Sequence, residues 1–108
     1  MKYGLKDRDI KYIIGSIKTF SEITEVILFG SRAKGNKQNG SDVDLAIKGR
    51  NITHSTVTHL SYILNEEKPL PYYFDIVHYE KIDEPELIKH INRVGVVLYE
   101  NKKVLSDR

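Results

Sequence analysis

The chain has 108 residues, 40% of them hydrophobic and 30% charged, which is enough for one small domain with its own core. It contains no cysteine, no apolar stretch of membrane-spanning length and no secretory signal. We therefore exclude disulfide and thiolate-zinc scaffolds and expect a cytoplasmic protein with no membrane association. The net charge of +2 arises from interspersed basic and acidic residues, which argues against nucleic acid as a partner.

Helix and strand patterns alternate along the chain, without a linker, a low-complexity tract or an internal repeat. Isoleucines at helical spacing predict the first helix, and β-branched or aromatic runs predict the strands. The first predicted elements are a helix from Asp7, its expected cap, to Phe20, a strand from Glu25 to Phe29, one helical turn from Ser31 to Lys34 and a turn from Asn36 to Ser41. A strand from Val43 to Ile47, a helix from about Thr53 to Glu67 and a strand from Tyr72 to Tyr79 follow. The last two elements are a helix capped by Asp83 and ended by Gly95, and a strand from Val96 to Tyr99.

This order, α-β-α-β-α-β-α-β, predicts the fold class. We expect a single α/β (α+β) domain over residues 1–108, with a small mixed β-sheet of about four strands. Helices are expected to pack mainly on one face of that sheet.

The most informative segment runs from Leu28 to Leu45 and contains a Gly-Ser pair, ten intervening residues and two aspartates separated by one valine. In a strand, Asp42 and Asp44 leave the same face while Val43 enters the core. Two like charges held close together are costly unless a cation joins them. Carboxylate oxygens suit Mg²⁺, which also takes phosphate oxygens as ligands. The segment therefore predicts a site for metal and phosphate.

A third carboxylate lies in a later predicted strand, where apolar residues flank Asp75. A lone buried aspartate is costly, so this residue needs partners. If its strand lies beside Val43 to Ile47, Asp75 converges on Asp42 and Asp44. Three carboxylates around one or two Mg²⁺ ions form a ligand set for phosphoryl or nucleotidyl transfer by two metals.

Gly30-Ser31, the gap of ten residues, Asp42-Val43-Asp44 and Asp75 together resemble the signature of the DNA polymerase β-type nucleotidyltransferase superfamily. The short length further resembles its minimal nucleotidyltransferase (MNT) branch, whose members pair with HEPN-domain proteins and serve as antitoxins in toxin–antitoxin modules. The resemblance implies a single minimal nucleotidyltransferase domain, with a HEPN toxin as its partner in a hetero-oligomer.

The same resemblance implies roles for individual residues. Gly30 would let the backbone approach a nucleoside triphosphate, and Ser31 would offer its hydroxyl and N–H to the phosphates. Asp42 and Asp44 would hold two Mg²⁺ ions. Asp75 would ligate one of them and help to remove the proton of the attacking hydroxyl. The implied reaction is in-line attack on the α-phosphorus of ATP, with release of pyrophosphate.

Each of these residues also has a simpler interpretation. Arg32 and Lys34 would be further phosphate contacts, but a solvated helical turn explains them equally well. Asp42 and Asp44 would also fit a solvated turn, and Asp75 would fit a salt bridge with a neighbouring strand.

Other motifs carry less weight. A P-loop requires lysine at the position of Asn36, so that alternative fails. The histidines at positions 54, 59, 78 and 90 lack the spacing of a metal site and are expected to be ordinary surface or partly buried residues. Tyr72 and Tyr73 are expected to pack rather than to stack on a base.

The chain ends soon after its last predicted strand, so we expect it to lack an obvious acceptor-binding surface of its own. A helical HEPN partner would supply the acceptor, a tyrosine hydroxyl that receives AMP from ATP. Two alternatives stay open: neutralisation of the toxin by binding alone, and nucleotidyl transfer to a small molecule or an RNA end. The sequence defines neither the base preference nor the stoichiometry.

Overall fold

The computed structural model describes residues 2–35, 42–67 and 70–101. The described elements are helix α1 (Asp7–Ile17), strand β1 (Glu25–Phe29), strand β2 (Val43–Lys48), helix α2 (His54–Tyr62) with a π-helical turn after it (Ile63–Glu67), strand β3 (Phe74–His78) with a 3-10 turn after it (Tyr79–Lys81), helix α3 (Pro85–Val94) and strand β4 (Val96–Glu100). The turn predicted from Asn36 to Ser41 lies outside the described residues.

The strands form one mixed sheet in the order β3-β2-β1-β4. Strand β1 is antiparallel to both of its neighbours, β2 and β4, whereas β2 and β3 run parallel. Helix α2 lies in the connection between the two parallel strands, as parallel pairing requires a long crossover. The predicted mixed α/β fold class with four strands is confirmed.

The two faces of the sheet are covered differently. Helices α1 and α2 pack on the side that we call the core face, whose buried residues are Leu5, Ile13, Ile17, Phe20, Ile23, Val26, Leu28, Val43, Leu45, Ile47, Ile52, Leu60, Leu64 and Phe74. On the opposite side, the α3 face, Ile91 of α3 packs against Ile27, Phe29 and Ala46. Helices therefore pack mainly on one face, as predicted.

The ends of the helices differ from the prediction. Asp7 and Asp83 do not cap their helices: the N-cap positions are Lys6 and Glu84, and neither makes a capping bond through its side chain. Asp7 instead lies in the first turn of α1, where a negative charge suits the helix dipole. Pro85 is the first residue of α3, and its fixed φ suits that position.

A single tight turn follows β1, as predicted for Ser31 to Lys34. The N–H of Lys34 donates to the carbonyl of Gly30 at 3.3 Å, a helix-type bond. Gly30 and Gly35 bracket this turn with φ values of +80° and +85°, a region that disfavours other residues. No helix in the described ranges is long and apolar enough to cross a membrane.

Candidate active site

Two aspartates from neighbouring strands lie side by side near one end of the sheet. Asp44 of β2 is in register with Asp75 of β3, because the two strands pair in parallel. Asp44 also pairs with Phe29 of β1, which belongs to the α3 face, so both carboxylates point to that face. Asp42 directly precedes β2, and the intervening Val43 is fully buried in the core face. The predicted neighbourhood of the two strands is confirmed.

The electrostatics of this group are unfavourable without a cation. Partial burial raises the pKa of Asp44 above its usual value of 3.8, and the nearby charges of Asp75 and Asp42 raise it further. His90 of α3 acts in the opposite direction and lowers the pKa of Asp44. Asp44 is therefore the carboxylate at the centre of the three, and a positive charge bound there would relieve the repulsion.

Gly30 lies against the carboxylate of Asp44. A Cβ atom built at Gly30 would collide with Oδ2 of Asp44, in addition to requiring a positive φ. Only glycine leaves room for the carboxylate to approach the backbone at this point. The Gly-Ser pair that stood out in the sequence is thus next to the aspartates in space.

The three residues after Gly30 do not all face the same way. Ser31 and Lys34 are exposed on the turn, where they are accessible to a phosphate. Arg32 is 4% exposed, and its guanidinium donates to the carbonyl of Tyr3 at 3.1 Å. A phosphate contact by Arg32 stays a prediction, and the observed contact supports a positioning role for this residue.

Arg32 is part of a buried polar network on the core face. Its guanidinium lies 5.1 Å from the centre of the Tyr72 ring, a cation–π distance. The Tyr72 hydroxyl donates to Oδ2 of Asp9 at 2.8 Å, and Asp9 is 1% exposed. Oδ1 of Asp9 accepts no hydrogen bond from the described residues; the Nε atom of Arg8 lies 3.6 Å away, an ion-pair contact beyond hydrogen-bonding distance. The network joins α1, the turn after β1 and the segment before β3.

Two other side chains depart from the expectations. Tyr72 packs, as expected, but Tyr73 is 61% exposed, so the packing predicted for it is wrong. His90, expected to be an isolated residue, lies near the carboxylates: its ring meets Phe29 edge to face at 6.1 Å, and its charge acts on Asp44. No local pattern identifies His90, because only the packing of α3 on the sheet places it there.

The donor set suits a divalent cation, although no ready-made metal site is present. Within residues 2–35, 42–67 and 70–101, no three His, Asp or Glu side chains come together as a group that could hold an ion. Asp42, Asp44 and Asp75 nevertheless supply hard oxygen ligands, and their mutual repulsion is what a bound cation offsets. The residues present therefore fit Mg²⁺.

Comparison with known families and structures gives one family match and several structural neighbours. The model of the family "Polymerase beta, Nucleotidyltransferase" matches residues 11–104. No curated protein sequence matches the chain at a significant level.

The structural neighbours include complexes of two proteins. The crystal structure of a toxin–antitoxin with AMP-PNP is 20% identical with a TM-score of 0.72, over 87% of this chain and 75% of that one. The structure of a tri-AMPylated HEPN toxin from Shewanella oneidensis in complex with MNT antitoxin gives 16% identity and a TM-score of 0.68, over 94% of this chain and 78% of that one. A putative nucleotidyltransferase from Sulfolobus solfataricus is 20% identical with a TM-score of 0.51, over 93% of this chain and 94% of that one. At these identities the similarity establishes the fold.

Proposed function

This chain belongs to the polymerase beta nucleotidyltransferase family, and we propose that it transfers AMP from ATP to a hydroxyl of a HEPN toxin, a tyrosine hydroxyl above all, thereby acting as the antitoxin. The observation that carries this proposal is the register of Asp44 with Asp75 beside Gly30. This arrangement combines paired carboxylates with a close approach of the backbone, as metal-assisted transfer of a nucleotide needs.

The structural neighbours support the choice of nucleotide and partner. One was solved with AMP-PNP, an ATP analogue, and another contains a HEPN toxin that carries AMP groups. The proposal extends these properties to the present chain on the basis of the shared fold and the intact carboxylates. It includes the cytoplasmic location predicted from the sequence, where ATP and Mg²⁺ are available.

The residues divide the work by position. Asp42 and Asp44 would hold Mg²⁺, with Asp75 as a further ligand on the neighbouring strand; two ions are expected. Bound Mg²⁺ would neutralise phosphate charge and favour attack by a hydroxyl. Ser31 and Lys34, both exposed on the turn, would bind the β and γ phosphates.

The proposed reaction is a single displacement. The acceptor oxygen attacks the α-phosphorus, the bond from that phosphorus to the bridging oxygen breaks, and pyrophosphate leaves. Asp75 is exposed and lies beside Asp44, so its carboxylate is placed to accept the proton of the hydroxyl. The products are an AMP ester of the partner and pyrophosphate.

The test uses α-labelled ATP, Mg²⁺ and a cognate HEPN-domain protein. We expect label on the partner, and we expect the double variant Asp42→Asn, Asp44→Asn to lower the rate at least about 10³-fold, since several kcal/mol of transition-state stabilisation are removed. Asp83→Asn, an exposed aspartate outside the site, is the matched control and should leave the rate unchanged.

Each other outcome has a defined meaning. Absence of label, or equal labelling by the double variant, contradicts the proposed reaction. If the double variant fails to label the partner but still neutralises it, the chain acts by binding alone. Label on RNA or on a small molecule without the partner would assign a different acceptor.

A further inference from the structure

A groove lies along the outer edge of the sheet and reaches Asp75. It has a volume of about 410 Å³ and runs between β3 on one side and α2 with its π-helical turn on the other. Strand β3 is at the edge of the sheet, and no other strand in residues 2–35, 42–67 and 70–101 covers it. Asp75, proposed above to accept the proton, is one of the residues that line the groove.

Two tyrosines line this groove and leave most of their surface in contact with solvent. Tyr62 at the end of α2 is 56% exposed and Tyr73 before β3 is 61% exposed. Large apolar side chains with this exposure are rare in the described part of the chain, the others being Tyr12 and Val97. Tyrosine is among the residues that dominate binding energy at protein interfaces, because it offers a large contact area at a low cost in entropy.

The groove wall is fixed by an unusual pairing. The side chain of Asn65 in the π-helical turn accepts a hydrogen bond from the N–H of Phe74 at 2.7 Å and donates to the carbonyl of the same residue at 3.0 Å. Asn65 therefore occupies the place that an added strand would take at Phe74. Recognition by strand addition is blocked at this point, and side-chain contacts with the tyrosines are left as the means of binding.

The charge of the groove indicates what it binds. Apart from the tyrosines, the described ionisable residues that line it are Glu66 and Asp75, and both are acidic. The lining that the structure describes thus contributes no basic side chain for a triphosphate, whereas Lys34 lies on the turn after β1. A segment with neutral and basic side chains complements it.

We propose that this groove is the docking site for the acceptor-bearing segment of the partner protein, a stretch of polypeptide with neutral and basic residues around the acceptor hydroxyl. The segment lies across Tyr62 and Tyr73 along the outer edge of β3 and brings its hydroxyl round that edge to the carboxylate of Asp75, which points to the α3 face. This inference rests on the proposed function for the identity of the acceptor, but the binding itself is measurable without any transfer of AMP.

The first test removes the tyrosine rings. The cognate HEPN-domain protein should bind the double variant Tyr62→Ser, Tyr73→Ser at least about tenfold more weakly by calorimetry, because interface tyrosines are common hot spots. The partner concentration for half-maximal labelling should rise by the same factor, with the affinity for MgATP unchanged. Tyr12→Ser is the control, because it removes an exposed tyrosine of α1 that does not line the groove. It should leave both the partner affinity and the concentration for half-maximal labelling unchanged.

The second test reverses one charge. Glu66→Lys should weaken partner binding several-fold, with the largest effect at low salt, whereas Glu67→Lys, on the adjacent exposed residue that does not line the groove, should not. Equal binding of the partner by the tyrosine double variant and by the unmodified protein would overturn the proposal that the groove is the docking site. Equal weakening by the Tyr12 control, or no binding of the partner by the unmodified protein, would also overturn it.

These outcomes separate the groove from the reaction. If the unmodified protein binds the partner without labelling it and the groove variants bind more weakly, the docking proposal is supported and the proposed reaction is contradicted. If labelling occurs and the groove variants behave as the unmodified protein does, the proposed reaction is supported and the docking proposal is contradicted.

Discussion

The two faces of the sheet carry different tasks. On the core face, β2 contributes Val43, Leu45 and Ile47, all fully buried beneath α1 and α2. On the α3 face, the same strand contributes Asp44 and the buried Ala46, and its partner β3 adds Asp75. Because side chains alternate along a strand, one run of six residues supplies the core on one face and places Asp44 for the proposed reaction on the other.

The turn after β1 connects these two faces. Gly30 lies against Asp44 of the α3 face, whereas Arg32 turns into the network with Tyr72 and Asp9 on the core face. Packing on the core face thus fixes the position of the turn whose backbone approaches the carboxylates on the α3 face. Substitutions on the two sides of this turn should therefore change activity and stability in different proportions.

Large losses of both stability and activity are expected together at Gly30, where the turn meets the site. Gly30→Ala introduces a Cβ that collides with Oδ2 of Asp44 and requires a positive φ. We expect the positive φ alone to lower the free energy of unfolding by about 1–2 kcal/mol. Displacement of the carboxylate should lower the transfer rate by about 10²-fold, since small displacements of reacting groups have effects of that size. Denaturant unfolding and the labelling assay measure the two effects.

Gly35→Ala is the matched control for this substitution. Gly35 has nearly the same φ, +85°, but a Cβ there meets no atom within 4 Å. Its loss of stability should therefore be about the same 1–2 kcal/mol, with the transfer rate changed only a few-fold. If the two alanine variants lose activity equally, the contact of Gly30 with Asp44 does not matter for the reaction.

The core face is tested at Tyr72. Tyr72→Phe removes the hydroxyl that donates to the buried carboxylate of Asp9. A buried polar group that loses its partner costs about 1–3 kcal/mol, so the free energy of unfolding should fall by that amount. The transfer rate at saturating ATP should change less than it does for Gly30→Ala, because the carboxylates of the α3 face are untouched.

Tyr73→Phe is the control, as it removes a hydroxyl from the neighbouring exposed tyrosine. Its stability should stay within about 0.5 kcal/mol of that of the unmodified protein. Loss of activity without loss of stability in Tyr72→Phe would contradict the division of tasks between the faces, since it would place Tyr72 in the reaction itself.

Much of the fold follows from local patterns in the sequence. The strand from Glu25 to Phe29 has the predicted bounds because it combines β-branched residues with a glycine at its end. The proximity of Gly30 to Asp44 agrees with the Gly-Ser and Asp-x-Asp spacing, because a short connection between antiparallel strands returns the chain to the same end of the sheet.

The features that the sequence does not reveal depend on tertiary contacts. Arg32 shares its turn with the exposed Ser31 and Lys34, and its side chain is buried through tertiary contacts that include the Tyr72 ring and the carbonyl of Tyr3. His90 is near Asp44 because α3 crosses the opposite face of the sheet, a placement with no local signal. The groove likewise requires the π-helical turn that directs Asn65 to β3.

The smallest effect on stability, and one of opposite sign, is expected at Asp44. Its pKa in the folded protein is raised by burial and by Asp75 and Asp42, so between pH 3.8 and that raised value the folded state binds more protons than the unfolded state. Stability therefore falls as the pH rises through this interval, and the full cost of the charge is present above it. Asp44→Asn removes that charge and should raise the melting temperature at neutral pH by a few degrees in the absence of Mg²⁺, while it abolishes transfer.

The pH and the cation together identify the origin of this gain. The difference in melting temperature between Asp44→Asn and the unmodified protein should shrink as the pH is lowered toward 3.8, because protonation then removes the same charge. Added Mg²⁺ should raise the melting temperature of the unmodified protein and leave that of Asp44→Asn nearly unchanged, with Asp83→Asn responding as the unmodified protein does. A variant that is less stable than the unmodified protein at every pH would show that Asp44 stabilises the fold, and the α3 face would then share the structural task of the core face.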